Sequence, residues 1–351
     1  MPDLVVVGGG PVGLAASLYA ARSGLSVTVL EPRTGLVDKA CGEGLMPGAV
    51  KALASLGVDA PGFELQGIRY VSGARHAVAD FSGGAGRGVR RTTLHHGLSE
   101  AVQSAGVEVV VGTATEVEQD GDWVRVGTRD AAGRRGAMLT SRHVLAADGL
   151  HSPLRRALGL ERPTRGPQRY GLRRHYGIRP WSSHVEVHWG RHGEAYVTPV
   201  ADDLVGVAVL SAARAPYEEH LAGFPELRER LGAASAMTSV RGAGPLHQRA
   251  ARRTAGRVLL VGDASGYVDA LTGEGLSLGL AEARAAVRAV AEGRPQDYEQ
   301  EWRRITRRYA VLTHALVQAT RPGWGRRAVV PAAAAAPLVF RAAVAELGRA
   351  R

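Results

Sequence analysis

The sequence predicts an α/β fold: a Rossmann-like dinucleotide-binding domain, discontinuous in the chain, with an antiparallel β-sheet over it and helices at the C-terminal end. Three stretches predict it. An apolar run, Leu4 to Val7, leads into Gly8-x-Gly10-x-x-Gly13 and then a helical periodicity that stops at Gly24. A second apolar strand, Val27 to Leu30, is tipped by Glu31. Far downstream, in "RVLLVGDASGYVDALTGEGLSLGL", Val258 to Val261 read as a strand, Gly262-Asp263 as its end and Gly275 as the start of a helix rich in small residues.

Each part of the first stretch has a physical task. Gly8 permits the tight turn, Gly10 lets a pyrophosphate approach the backbone, and Gly13 lets helix and sheet pack closely. Pro11 and Val12 fall in the same opening turn, whose amides hold an anionic phosphate. Glu31, about 20 residues on, accepts hydrogen bonds from adenosine ribose hydroxyls, with Arg33 beside it as a further cofactor contact. Strand, helix and acid agree, so this is a dinucleotide site. The motif alone does not separate NAD from FAD.

Composition narrows the class. With 351 residues, 45% of them hydrophobic, the chain can bury a large core. Its single cysteine, Cys41, forms no internal disulfide, and "MPDLVVVGGG" runs straight into a strand where a signal peptide would carry basic and apolar regions. No apolar run reaches the ~20 residues of a membrane span. A cytoplasmic location is therefore expected. The formal charge of +11 comes from arginines scattered in short groups, and no nucleic-acid module or metal-ligand spacing accompanies them. Neither nucleic acid nor a metal is expected as a partner.

A third strand-and-glycine stretch, "HVLAADGLHSPLRRALGL", places Asp148-Gly149 between the other two. Taken in order, the three stretches resemble those of FAD-dependent oxidoreductases of the para-hydroxybenzoate hydroxylase fold, nearest to the geranylgeranyl-reductase-like branch. The resemblance implies FAD as cofactor and NAD(P)H or another reductant as electron donor. It gives Asp263 the ribityl hydroxyls and aims the helix start at Gly273-Glu274-Gly275 toward the flavin ring, where a positive helix end stabilises reduced flavin. Asp148 would contact the cofactor region. In "GVRRTTLHHGLSEAV", Arg91 reads equally as a cofactor contact or as part of a surface helix capped by Thr92 or Thr93.

The same branch carries a Lys-x-Cys-Gly loop near the flavin ring, matched here by Lys39, Cys41, Gly42 and Glu43, with Ala40 where the reductases carry proline. The resemblance makes Lys39, Cys41 and Glu43 the candidate catalytic residues: Lys39 orients an anionic group and Glu43 relays a proton. Cys41 also reads as a buried, inert side chain. The reductases' aromatic-x-Trp-x-Phe-Pro segment corresponds to Tyr196-Val197-Thr198-Pro199, and the halogenases' Trp-x-Trp-x-Ile-Pro is absent. His175, Tyr176 and Tyr196 are the expected substrate contacts, with Arg174 beside them.

The FAD-binding domain is expected over 1–65, 90–160 and 245–300, the substrate-binding sheet domain over 66–89 and 161–244, and a helical segment over 301–351. "SHVEVHWG" alternates as a strand does, and "EAYVTPV" with "DLVGVAVL" forms a hairpin about Asp202-Asp203. "FSGGAGRG", residues 81–88, reads as a loop. The tail, interrupted by Pro331 and Pro337, is expected to cover the substrate cavity or pack on the core, with a weak membrane-surface contact beside Arg326 and Arg327 as the alternative. The favoured reaction is hydroxylation of a hydrophobic aromatic or polyketide-like small molecule through a flavin hydroperoxide, a monooxygenase of secondary metabolism. Reduction of a carbon–carbon double bond is the alternative, and a non-enzymatic flavin-binding regulator is a third reading.

Overall fold

Leu4–Val7 is buried at every residue, flanked on each side by a parallel strand. In this computed structural model, which describes residues 1–164 and 168–348, it belongs to a six-stranded sheet. The order across that sheet is Thr254–Ala255, Val258–Leu260, His143–Ala146, Leu4–Val7, Val27–Glu31 and Glu108–Val111; only the first pair is antiparallel. Alternation then sorts the valines. Leu4 and Val6 meet the helices Pro11–Arg22 and Gly275–Ala291, while Val5 and Val7 meet Val124, Val126 and Leu154 on the other face. Residues 165–167 and 349–351, inside the expected sheet and tail segments, lie outside the described residues.

The second layer is an eight-stranded, mostly antiparallel sheet. Tyr170–Gly177, Leu204–Ser211, Gly193–Ala201 and His184–Trp189 are adjacent in that order. Gly67–Ser72 joins them in parallel with His184–Trp189, and Arg75–Asp80 completes that edge. The hairpin turns at Asp202-Asp203. One stretch differs from the sequence reading: Gly86–Gly88, taken as loop, is a strand pairing with Gly44–Leu45 and Phe63–Leu65. Pairing across distance makes it a strand, and its glycine composition reflects space: a Cβ on Gly88 would lie 1.7 Å from the carbonyl oxygen of Pro199.

The tail forms three helices, Tyr298–Ala319, Gly323–Ala335 and Pro337–Leu347. Pro331 sits within the second helix, while Pro337 begins a new one bent by 102°. Among the described residues no single helix is long and apolar enough to cross a membrane.

Glu282, on the inner face of Gly275–Ala291, accepts hydrogen bonds from the Gly262 amide (2.8 Å) and the Ser265 hydroxyl (2.9 Å). Burial pushes its carboxyl from an ordinary 4.5 up to about 8, against the pull of those two donors. A raised carboxyl is neutral in the folded and charged in the unfolded chain between these values, so stability falls as pH rises through that window. Urea unfolding of the apoprotein should show the wild type losing on the order of 4 kcal/mol between pH 5 and 8 relative to Glu282→Gln, whose own profile stays flatter.

Candidate active site

Two helices begin side by side, packed through Val12, and the space between their starts is the candidate groove. Pro11–Arg22 starts after Gly10 with no side chain capping it, and Gly275–Ala291 starts after Glu274, likewise without a side-chain cap. Their amides are therefore available to an anion. Glycine sets the geometry. Gly8 has φ of 108°, and a Cβ on Gly13 would lie 1.8 Å from the Gly8 carbonyl oxygen. Cβ atoms on Gly262 and Gly279 would come within 3.1 and 2.5 Å of the Val12 side chain, so Val12 packs the two helices together and offers only its backbone to a ligand. Gly10 is different. The nearest atom to its would-be Cβ is Nη2 of Arg91 at 3.8 Å, so its face of the groove is open.

Charged side chains line this groove. Arg91 is the first residue of the helix Arg91–Ser104, and its buried Nε has no hydrogen-bond partner among the described residues. Burial draws the guanidinium below its ordinary value, with the nearby Cys41, Asp263 and Glu43 pulling the other way. Burial pushes the Asp263 carboxyl up, opposed by Arg91, Lys39 and Arg155. Lys39 is lowered by burial and by the neighbouring Arg33 and Arg91; its Nζ lies 3.5 Å from where a Cβ of Gly149 would stand. Asp148 caps the short helix Pro153–Ala157 by accepting from the Leu154 amide at 3.0 Å, and burial raises its carboxyl.

At the tip of Val27–Glu31, Glu31 accepts from the Gly9 amide at 2.6 Å and from Arg33 Nε at 2.6 Å. Burial alone would raise this carboxyl; the bonds from Arg33 and Gly9 more than offset that and hold it below the ordinary range. Sequence reasoning missed two supports here. His95 reaches the Gly9 carbonyl through Nε2 at 2.9 Å. Arg155, fully buried, donates to the carbonyls of Asp263 (3.3 Å), Ala264 (3.1 Å) and Leu150 (2.9 Å) and to Gln248 Oε1 (2.9 Å), fastening the Asp148 segment to the Asp263 segment. A Ser-Pro-x-Arg string after Asp148-Gly149 was the available signal, since Ser152 caps the helix that delivers Arg155.

The Cys41–Glu43 loop is held from the second sheet. Thr198, Gly206 and His175 are cross-strand neighbours on three adjacent strands and share one face. The Thr198 hydroxyl donates to the Gly42 carbonyl at 2.8 Å, and His175 Nε2 lies 2.6 Å from Oε2 of Glu43. Gly206 leaves room between them, since its Cβ would fall 3.1 Å from the Glu43 carboxylate. Arg173 Nη1 lies 3.1 Å from His175 Nδ1; arginine only donates, so Nδ1 accepts and Nε2 carries the proton given to Glu43. Glu43 itself has φ of 60°, the left-handed region. Its other oxygen accepts the Arg91 amide at 2.8 Å. That carboxylate, with Arg90 at the cap position, replaces the threonine cap expected for this helix: Thr92 and Thr93 lie inside the first turn. The Glu43 amide points at Cys41 Sγ, 3.4 Å away, and burial raises the thiol above its ordinary range.

The expected substrate contacts separate. His175 has no exposed surface and supports the loop from behind. Tyr176 is on the opposite face of the sheet, packed with Tyr217, Leu221 and Phe224, and Arg174 pairs with Glu218 on that same outer side. Adjacent residues of a strand point to opposite faces, so the pair cannot line one cavity. Tyr196, on the inner face, donates from its hydroxyl to the Leu271 carbonyl at 2.9 Å, just before Gly273.

The description "FAD binding domain" matches residues 2–293. The chain belongs to the FAD-binding domain family. As a member of it, the protein is an FAD-dependent oxidoreductase, and the resemblance drawn from the three glycine-bearing stretches holds. It is 30% identical over 310 residues to a menaquinone reductase of Mycobacterium tuberculosis (strain H37Rv), covering 81% of this chain and 75% of that protein. It is 29% identical over 316 residues to digeranylgeranylglycerophospholipid reductase 1 of Methanothermobacter thermautotrophicus, covering 83% and 78%. Among solved structures, the flavin-dependent halogenase CmlS superposes with a TM-score of 0.82 at 21% identity, covering 91% of this chain and 64% of that one. A geranylgeranyl bacteriochlorophyll reductase-like protein of Thermoplasma acidophilum gives 0.75 at 23% identity, covering 87% and 82%. These two show the shared fold.

The residues present fit the cofactor of this FAD-binding family. Two uncapped helix starts, the unpartnered Nε of Arg91 and the open face of Gly10 provide donors and clearance for a dinucleotide. Gly10→Ala and Gly13→Ala should therefore fail differently. Gly10→Ala apoprotein should melt within about 2 °C of wild type yet bind FAD at least about tenfold more weakly, by fluorescence titration. Gly13→Ala should itself be destabilised by about 2–3 kcal/mol, because its methyl meets backbone.

Proposed function

We propose that this FAD-dependent oxidoreductase reduces a carbon–carbon double bond in a hydrophobic, isoprenoid-type substrate. The observation that carries the reading is the Cys41 thiol, held by the Glu43 amide at 3.4 Å beside the Arg91 guanidinium. Bound FAD supplies hydride-transfer chemistry at its ring. Saturating a double bond also needs a proton, and a positioned side chain delivers one most effectively. Burial lifts the Cys41 thiol above its ordinary range, so Sγ keeps its proton at neutral pH. The Glu43 amide and the Thr198–Gly42 bond fix where that sulfur lies. Lys39 and Arg91 put positive charge beside the same loop and serve the anionic part of the cofactor.

The likeness to reductases named for menaquinone and for digeranylgeranylglycerophospholipid supports reduction, and it reverses the preference for hydroxylation taken from the sequence. Hydroxylation of a ring substrate is the second reading, favoured by Thr198 standing where the reductases carry a bulky aromatic residue. In either case NAD(P)H or another soluble donor supplies the electrons.

Dioxygen separates the two. Dithionite-reduced holoenzyme mixed anaerobically with menaquinone should reoxidise its flavin, and mass spectrometry, run after any quinol has been reoxidised to quinone, should find two more hydrogens in the isoprenoid side chain. Turnover that starts only when oxygen is admitted, with an added oxygen atom in the product, would replace this reading with the hydroxylase. Cys41→Ala should slow anaerobic turnover by about 10- to 100-fold while leaving the bound-flavin spectrum unchanged.

A further inference from the structure

Gly323–Ala335 and Pro337–Leu347 lie along the outer strands of the second sheet, burying Val330, Phe340, Val344 and Leu347 against it. A helix on a water-facing surface ordinarily turns polar side chains outward. Gly323–Ala335 does the reverse. Opposite Val330, its exposed face carries Trp324, Ala328, Ala332 and Ala335, spaced for one stripe of an α-helix and without a polar atom beyond the indole N–H. On the next helix Leu338 and Val339 are 77% and 70% exposed, and Trp324 is 74% exposed. Ala342 and Ala343 extend the exposed apolar surface of Pro337–Leu347.

Charge gives this surface a direction. Every charged residue between Glu301 and Glu346 is an arginine. Arg321, Arg327 and Arg341 are exposed on and beside the two helices. The 102° bend and the burial of Val330 and Phe340 against the sheet make the pair a surface element. We infer that this face docks on an anionic lipid bilayer, with Trp324, Leu338 and Val339 entering the headgroup boundary and the three arginines meeting lipid phosphates. A second copy of the chain fits less well. Two-fold pairing of this face would set arginine against arginine, since Glu346, the one carboxylate in these two helices, is paired with Arg308. The inference deepens the reductase reading, since a lipid-borne double bond is met at a bilayer. It rests on its own observations, and vesicle binding is read without turnover, so either can fail alone.

The test is flotation of full-length holoenzyme with vesicles of phosphatidylcholine, alone or mixed with phosphatidylglycerol. The protein should float with the mixed vesicles and stay largely unbound with the neutral ones. Trp324→Ser with Leu338→Ser and Val339→Ser should lower the bound fraction about tenfold. Arg321→Gln with Arg327→Gln and Arg341→Gln should abolish the preference for anionic lipid. Circular dichroism and the flavin spectrum check that both variants fold, and the vesicle-induced blue shift in tryptophan emission should vanish in Trp324→Phe. Protein that floats with neither vesicle, floats equally with both, or sediments as a dimer dissolved by Leu338→Ser overturns the inference.

Discussion

The carboxylate of Glu43 is the contact on which the two layers of this protein depend. One oxygen faces His175 at the back of the antiparallel sheet, and the other receives the amide that opens the helix carrying Arg91. A single buried side chain thus joins the antiparallel sheet, the cysteine loop and the layer that carries Arg91. The arrangement is costly in isolation: Glu43 sits at positive φ, and residues other than glycine adopt that region rarely. It persists because both carboxylate oxygens are bonded and the His175 ring is itself held in place. His175 receives from Arg173, Arg173 is paired with Asp38, and Gly206 removes the one side chain that would collide.

A second constraint operates at the cofactor. Two helices can present their free amides to one ligand only if their backbones nearly touch, and that requires missing side chains at Gly13, Gly262 and Gly279. Val12 fills the remaining space between them. The glycines of the first motif therefore have distinct tasks. Gly8 and Gly13 shape the apoprotein, whereas Gly10 matters only when something lies in the groove.

Much of this was legible in the sequence because strand, glycine and acid recur in a fixed local order. Leu4–Val7, Val27–Glu31, Val258–Leu260 and the helix from Gly275 lie where their patterns placed them, and so does the hairpin at Asp202-Asp203. What could not be read was partnership across distance. Glu43 and His175 are separated by 132 residues, and nothing local to either announces the other. Tyr176 looked equivalent to His175 as an aromatic neighbour, yet the period of a strand sends it to the far side. Gly86–Gly88 has the composition of a loop and becomes a strand by pairing with two distant segments, with glycine at 88 where the Pro199 backbone passes. Arg155 is legible as part of the Asp148-Gly149 stretch, but its role as a buried fastener is not until its burial is known.

The row formed by Thr198, Gly206 and His175 also bears on attempts to redesign this scaffold. Exchanging the antiparallel layer between relatives is an obvious way to alter which molecule is accepted. Here that layer also carries the props of the cysteine loop, so a chimaera that transplants the strands without these three positions in register would inherit a new sheet face and a slack cysteine loop. Sheet and loop are one graft.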